Sequence, residues 1–193
     1  MELAKRGNNV FFINPPSDNV PGGIRIEKSD QQEGLFIVDY TVKVKGLRFL
    51  PRFIIRLADR SFIRKVEKRA GLRFDVVWNF ENSRFFDLGF AGEEVLKIYF
   101  QVDDNQDFHP AAAASTADIV LAINNGILET VKPYNKNTFL VPHSFQGHLS
   151  PKAMCIVSGE YQYKKPDGPL KVVYIGNLDN YYLEKDLLEK VIK

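Results

Sequence analysis

The stretch from Val95 to Gln146 decides the fold of this chain. Its apolar runs are VLKIYFQV (95–102), ADIVLAI (117–123) and TFLVP (138–142), and the polar segments DDNQDFHP, NNG and HSFQ follow them in turn. Apolar runs of about five to eight residues that alternate with helical stretches are typical of parallel strands buried between helices. The sequence therefore predicts an α/β fold with a mostly parallel sheet and helices on both faces.

Polar side chains follow each predicted strand. In open parallel sheets, ligands bind beyond the carboxyl ends of the strands. The loop after FDVVWNF (74–80) contributes to the same edge. The candidate binding residues are Asn79, Glu81, Arg84, Asp103, Asp104, His109, Asn124, Asn125, His143 and Gln146.

The start of the chain is predicted to contain the end of a helix and three further strands. MELAKRG is predicted to be the end of a helix that stops at Gly7, and NNVFFINPP follows as a strand. IRIEK and LFIVDYTVKV are predicted strands around a turn at Gln31–Gly34. A doubly wound domain ordinarily begins with a strand before its first helix. The Rossmann-like sheet is therefore expected to lack its first strand, as in a truncated domain.

A long helix is predicted from Pro51 to Ala70. Pro at the first position, apolar residues at positions 54, 55, 58, 62 and 66, and Gly71 after the last turn all favour it. Phe53 and Phe62 are expected on its buried side. FDVVWNF is expected to be a buried strand with Trp78 in the core.

This predicted helix is strongly basic. The segment from Lys43 to Arg73 has eleven Lys and Arg and two acidic residues, a local charge of +9 in a chain whose formal net charge is +2. A spacing of four residues drifts by about 40° per step on a helix. It predicts a cationic stripe opposite the apolar face, formed by Arg48, Arg52, Arg56, Arg60, Arg64 and Lys68. Such a stripe attracts an anionic membrane, at about 1 kcal/mol per charge; the alternative is a solvated face.

The composition argues against disulfides, metal sites and membrane-spanning segments. The single cysteine, Cys155, excludes an internal disulfide and a cysteine-based zinc site. His143 and His148 have no carboxylate at ligand spacing, so no metal site is predicted. No apolar run approaches the roughly 18 to 20 residues of a membrane span. The predicted location is cytoplasmic, peripheral to the inner membrane face if the basic helix contacts it.

Taken together, the segments resemble a known family. INPP (13–16), VDDN (102–105), ADIVLAINNGILETVKPYNKNTFLVPHSFQ (117–146) and VVYIGNLDNYYLEKDLLEKVI (172–192) occur in an order similar to that of bacterial GT-B glycosyltransferases, in the group loosely called family 1 or 4. The resemblance covers nearly the whole chain and rests on segment order more than on an invariant motif. It implies two Rossmann-like domains that face a cleft, one for the acceptor and one for a nucleotide-sugar donor.

The resemblance also implies a domain organisation. Residues 1–147 correspond to the acceptor domain, 148–170 to a linker, and 171–193 to the first strand and helix of an incomplete donor domain. In that last segment Gly176 and Asn177 would face the donor phosphate, whereas His143 and Ser144 replace the usual Asn and Gly of the family. The implied function is transfer of a sugar to a glycan or lipid-linked acceptor in cell-surface polysaccharide synthesis. The fragment alone is expected to be inactive, and the nucleotide-sugar is a substrate, with no further cofactor expected.

The acidic turn is the implied catalytic element. The resemblance places Asp103 and Asp104 where some members carry their catalytic carboxylate, with Asp103 preferred. A positioned Asp that takes the acceptor proton contributes typically 10²- to 10⁴-fold, and nearby negative charge favours an oxocarbenium-like sugar. The alternative is that one Asp caps the following turn and the other is solvated. Asn124 is likewise expected to cap a helix rather than bind a ligand.

Two other hypotheses concern partners. A basic binding module for nucleic acid or a phosphorylated ligand would use the arginine stripe on phosphates, but aromatic residues are not interleaved there for base stacking. No nucleic acid is therefore expected. The second hypothesis is that KVVYIG (171–176), with the helix from Tyr181 to Ile192, docks where the first strand is missing. Docking in a partner would give a strand-exchanged homodimer.

Overall fold

The computed structural model describes residues 2–42, 46, 49–80, 84–103, 109–142 and 158. The chain divides into two compact units, Met1–Ser144 and Phe145–Lys193. All elements given below belong to the first unit. The linker predicted at 148–170, apart from residue 158, lies outside the described residues, and so do the strand predicted at 171–176 and the helix at 181–192.

The start of the first unit forms a three-stranded sheet. Helix α1 (Glu2–Lys5) precedes β1 (Val10–Ile13), and β2 (Ile24–Lys28) pairs antiparallel with β3 (Leu35–Tyr40). β1 lies parallel to β3 on its other side, so the strand order is β1-β3-β2. The helix end before Gly7, the first strand and the following strand pair are confirmed, with β3 ending at Tyr40.

Helix α2 (Arg52–Ala70) joins this sheet to the rest of the unit. Phe62 and Val66 pack with Val38 and Tyr40 of the three-stranded sheet, whereas Ile55 belongs to the larger core described next. The helix ends at Gly71, which has a φ of 71° and donates its backbone N–H to the Glu67 carbonyl oxygen. A left-handed residue at this point is the conformation that glycine adopts without strain.

One expectation for α2 is wrong. Phe53 was expected on the buried side, but it is 64% exposed. The buried stripe contains Ile55, and a residue two positions away is turned by about 200° around the helix. Phe62, by contrast, packs against the core as expected.

Four parallel strands form the second sheet. They are β4 (Val76–Asn79), β5 (Leu96–Gln101), β6 (Ile119–Ala122) and β7 (Thr138–Leu140), in the order β4-β5-β6-β7. α3 (Pro110–Thr116) connects β5 to β6, and α4 (Asn125–Val131) connects β6 to β7. Short 3-10 helices occur at Pro21–Gly23, Leu88–Phe90 and Lys132–Tyr134. The α/β, Rossmann-like class predicted from the sequence is confirmed.

The two faces of the four-stranded sheet differ. Tyr99, Val120 and Ala122 point into the core, where α2, α3, α4 and the Leu88–Phe90 turn pack. The strand register places a second set of side chains together on the opposite face. This set, the open face, consists of Val76, Trp78, Leu96, Ile98, Phe100, Ile119, Leu121 and Phe139.

β4 differs from its prediction as a buried strand. It lies at the edge of the described sheet, and Trp78 is 37% exposed, with its ring stacked on Phe80 at a centroid distance of 5.4 Å. The expectation that Trp78 is a core residue is therefore wrong. An apolar run indicates that a strand buries side chains. Whether the strand is central or at the edge depends on which strands pair with it.

Candidate functional site

The carboxyl edge of the four-stranded sheet collects the loops after β4, β5 and β6. Asn79 ends β4, Asp103 lies two residues after β5, and Asn124 lies two residues after β6. His109 directly precedes α3, and Asn125 begins α4. Because the strands are parallel neighbours, these positions share one edge. The other residues predicted here, namely Glu81, Asp104, His143, Gln146, Gly176 and Asn177, lie outside the described part of the chain.

Asp103 is anchored from the core through its main chain. Gln101, only 3% exposed, donates from its side-chain nitrogen to the Asp103 carbonyl oxygen at 3.3 Å. The buried Tyr99 hydroxyl donates to the Gln101 side-chain oxygen, also at 3.3 Å. The Asp103 side chain is exposed. The hydrogen-bonded row Tyr99–Gln101 therefore fixes the backbone that carries this carboxylate.

The sequence analysis missed Tyr99 and Gln101 as contributors to the site. The signal that identifies them is the two-residue period of a strand, which places positions 99 and 101 on the same face. A polar residue such as Gln101 on a face that is otherwise apolar needs a hydrogen-bond partner. Its nearest polar neighbours in the chain are those of the acidic turn.

Backbone strain occurs at this same edge. Phe85 and His109, the non-glycine residues with positive φ in the described chain, have φ of 56° and 60°. Such conformations cost on the order of 1–3 kcal/mol each and occur often at functional sites. Phe85 lies in the loop after β4, and His109 in the loop after β5.

The two strained loops contact each other. The His109 ring stacks on Phe86 with a centroid distance of 4.2 Å. Asn79 donates from its side-chain nitrogen to the Phe85 carbonyl oxygen at 3.2 Å. The exposed imidazole is therefore held in one orientation by a buried ring next to the sheet edge.

Asn124 has a structural role. Its side-chain oxygen accepts the backbone N–H of Ile127 at 2.8 Å, which makes it the N-cap of α4. The expectation that Asn124 caps a helix is confirmed. Asn125 is the first residue of α4 and is exposed.

This pair allows a matched test. Asn124→Ala is expected to lower the free energy of unfolding by about 1 kcal/mol, because the cap hydrogen bond is lost. Asn125→Ala should change it by less than about 0.5 kcal/mol. Urea unfolding followed by circular dichroism measures both. Equal effects from the two substitutions would contradict the capping role.

The basic face of α2 is tied to the loop after β4. Asp87 is completely buried and accepts Arg52 Nε at 2.9 Å, Arg56 Nε at 3.0 Å and Arg56 Nη2 at 2.9 Å. Arg60 Nε donates to the Phe90 carbonyl oxygen at 3.0 Å. We call Arg52, Arg56 and Arg60 the arginine cluster. A Cβ at Gly89 would lie 2.7 Å from the Arg56 guanidinium carbon, so a larger residue there would shift the Arg56 side chain.

The arginine cluster corrects the predicted position of the cationic stripe on α2. Arg52, Arg56 and Arg60 do not lie opposite the packed face, because they contact the 87–90 turn. The acidic partner is 31 residues or more away in the chain and cannot be seen from helix spacing. Arg64 and Lys68 are exposed and line a shallow groove of about 640 Å³ with Glu67 and Arg73, and Arg48 lies outside the described residues.

A second buried acid, Asp59, lies on α2. Its Oδ1 is 3.6 Å from Arg84 Nη2, and among the described residues neither of its oxygens has a hydrogen-bond partner. The Arg84 guanidinium lies over the rings of Tyr40, Phe62 and Phe85 at 4.8, 5.5 and 4.6 Å. Arg84, predicted as a binding residue, thus has an aromatic and an acidic partner inside the fold.

Burial controls the ionisation of Asp59. It raises the pKa of this carboxyl to about 6; Arg84 opposes the shift, and Asp87 adds to it. The sequence analysis missed both acids. Asp59 occupies the buried stripe together with positions 55, 62 and 66, which is a detectable signal. Asp87 stands within the apolar run FFDLGF.

The described residues contain no group of three or more His, Cys, Asp or Glu side chains placed to hold a metal ion. Among their helices, none is both long and apolar enough to cross a membrane. A comparison with protein-family models found no match, and neither did a comparison with curated proteins. Two features therefore bear on function: the geometry of the carboxyl edge, and the order of segments that resembles GT-B glycosyltransferases.

Proposed function

We propose that this chain supplies the acceptor-binding domain of a GT-B glycosyltransferase, which moves a sugar from a nucleotide-sugar to a glycan or lipid-linked acceptor. The main support for this function is Asp103, an exposed carboxylate at the carboxyl edge whose main chain is anchored by the buried Gln101. The Rossmann-like sheet and the strained, interlocked loops at the same edge agree with it.

Asp103 has the chemistry that sugar transfer needs. The acceptor oxygen forms a bond to the anomeric carbon while the bond from that carbon to the donor phosphate breaks, and the electron pair leaves with the nucleotide. The acceptor proton passes to the Asp103 carboxylate, which acts as the general base. A backbone fixed by Gln101 reduces the freedom that the carboxylate must lose in the transition state. His109, held against Phe86, is positioned to donate a hydrogen bond to a sugar or phosphate oxygen.

Asp103→Asn is expected to lower the turnover of the active transferase by about 10²-fold or more. The amide keeps the shape of the side chain but cannot accept the proton. The release of nucleotide from a panel of nucleotide-sugars, measured with and without acceptor, gives the rate. Thermal unfolding checks that the variant is folded before its turnover is compared with that of the wild type.

Asp30→Asn is the matched control, since Asp30 is an exposed aspartate in the loop between β2 and β3. It should keep the wild-type rate. Wild-type turnover in Asp103→Asn would overturn the catalytic role of this residue, and the transferase proposal would lose its main support.

The competing function, a module for nucleic acid or a phosphorylated ligand, keeps one supporting feature. Arg64, Lys68 and Arg73 surround the groove at the end of α2. The arginine cluster weighs against it, because Arg52 and Arg56 already donate to Asp87, and Arg60 donates to two main-chain carbonyl oxygens. Binding to RNA or DNA that weakens steeply with salt and is lost in Arg64→Gln/Lys68→Gln would favour the competing function.

A contact with an anionic membrane is proposed at two of these residues, Arg64 and Lys68.

A further inference from the structure

We propose that the buried pair Asp59 and Arg84 is a proton-controlled latch that sets the position of His109 at the carboxyl edge. Asp59 is completely buried on α2, and its Oδ1 lies 3.6 Å from Arg84 Nη2. Among the described residues, neither Asp59 oxygen nor Arg84 Nε has a hydrogen-bond partner. Within this part of the chain the two groups are therefore held by charge, and this attraction exists while Asp59 is ionised.

The segment 84–86 connects this pair to the carboxyl edge. Phe85 has a φ of 56°, and its carbonyl oxygen accepts the Asn79 side chain at 3.2 Å. Phe86 is only 2% exposed, and its ring stacks on that of His109 at a centroid distance of 4.2 Å. A shift at the start of this segment therefore reaches the imidazole through two consecutive residues.

The other end of the same loop is anchored independently of Asp59. Asp87 accepts hydrogen bonds from the arginine cluster on α2, and the Leu88 N–H donates to Thr116 Oγ1 on α3 at 3.0 Å. Protonation of Asp59 removes neither contact. Its effect is therefore confined to the end of the loop that carries Arg84.

Protonation of Asp59 leaves the Arg84 guanidinium with its aromatic contacts, the rings of Tyr40, Phe62 and Phe85 at 4.8, 5.5 and 4.6 Å. The Arg84 side chain is only 20% exposed, and a buried charge without its ion partner is costly. The guanidinium is then better hydrated outside, so the side chain turns outward and Phe85 leaves its strained conformation. The latch is closed when Asp59 is ionised and open when it is protonated.

The surroundings of Asp59 place this change near pH 6. Burial raises the pKa of its carboxyl to about 6; Arg84 opposes the shift, and Asp87 adds to it. Asp87 is itself paired with the arginine cluster, Tyr40 of β3 contacts Arg84, and α3 has no ionisable side chain. The charged side chains of β2 and β3 are exposed or on the opposite face of their sheet: Arg25, Glu27, Lys28 and Asp39.

Nuclear magnetic resonance of the full chain tests the latch. The Phe86 ring should shift the imidazole protons of His109 upfield at pH 8, and this shift should be lost as the pH falls through about 6. His109→Gln identifies these signals among the three histidines. Because an imidazole titrates in the same range, the Phe86 backbone amide is the second probe. Its chemical shift should show an inflection near pH 6 that persists in His109→Gln and disappears in Asp59→Asn.

Two substitutions should open the latch at pH 8. Asp59→Asn keeps the shape of the side chain without its charge, and Arg84→Met removes the other half of the pair. Both should give the His109 signals that the wild type shows at pH 5. Asp30→Asn, an exposed change, is the control and should keep the wild-type signals. Circular dichroism checks that each variant is folded.

Three outcomes would overturn the latch. The first is a Phe86 amide without an inflection between pH 4 and 8 in the wild type. The second is an inflection that is lost in His109→Gln and kept in Asp59→Asn. The third is Asp59→Asn with wild-type His109 signals at pH 8, which would make the pair a purely structural contact. None of these measurements uses the transferase reaction, so they fail or succeed separately from the proposed function.

Discussion

Replacing Arg52 and Arg56 together with Met is expected to lower the free energy of unfolding by about 3–5 kcal/mol. The reason is Asp87, which is completely buried and receives three of its hydrogen bonds from these two guanidinium groups. Met retains most of the apolar stem, so packing changes little. Among the described residues, however, the buried Asp87 carboxylate then keeps the Gly89 N–H, at 3.1 Å, as its donor. Chemical denaturation at pH 7 measures the loss.

A charge-matched control uses the same helix. Arg64→Met/Lys68→Met also removes two positive charges, but both residues are exposed, and the change should stay within about 0.5 kcal/mol. Adding Asp87→Asn to the Arg52→Met/Arg56→Met variant should recover about 1–3 kcal/mol, because position 87 then carries no buried charge. Equal losses in the two double variants, or no recovery on adding Asp87→Asn, would show that the arginine cluster does not stabilise the fold through Asp87.

Asp59→Asn is expected to be more stable than the wild type at pH 8, by up to about 3 kcal/mol, and nearly equal to it at pH 4. Burial raises the pKa of Asp59 from 3.8 in a model peptide to about 6 in the fold. Between these two values the folded chain keeps the proton and the unfolded chain releases it, so stability falls as the pH rises through this window. Each pKa unit corresponds to 1.36 kcal/mol. Roughly one pH unit above the pKa of about 6, the penalty is complete and stays constant.

The difference between variant and wild type isolates Asp59 from the other carboxylates. Urea unfolding of both proteins at pH 4, 5, 6, 7 and 8 gives this difference directly. Asp30→Asn, an exposed change, should give a difference that does not vary with pH. A variant that is less stable than the wild type at pH 8 would mean that the ion pair with Arg84 outweighs the cost of burying the charge.

The sequence by itself determined the secondary structure and the class of fold. The period of the apolar residues and the end signals at Pro51 and Gly71 depend on neighbours within a few positions, and so do the cap at Asn124 and the strands of the parallel sheet. The carboxyl edge followed as well, because parallel order alone brings Asn79, Asp103 and Asn124 to one side. Local rules are sufficient for such features, since the interactions that produce them are local.

Only the tertiary structure decided which charges and which strand face are covered. Helix spacing predicts that Arg52 and Arg56 belong to a stripe opposite the packed face. In the structure both donate to Asp87, which lies in a loop more than thirty residues away in the sequence. FDVVWNF has the composition of a central strand, yet β4 lies at the edge and Trp78 is on the open face. Burial and pairing depend on residues distant in sequence that folding brings together, and strands that all step in one direction across the sheet place their connecting helices α3 and α4 on one face.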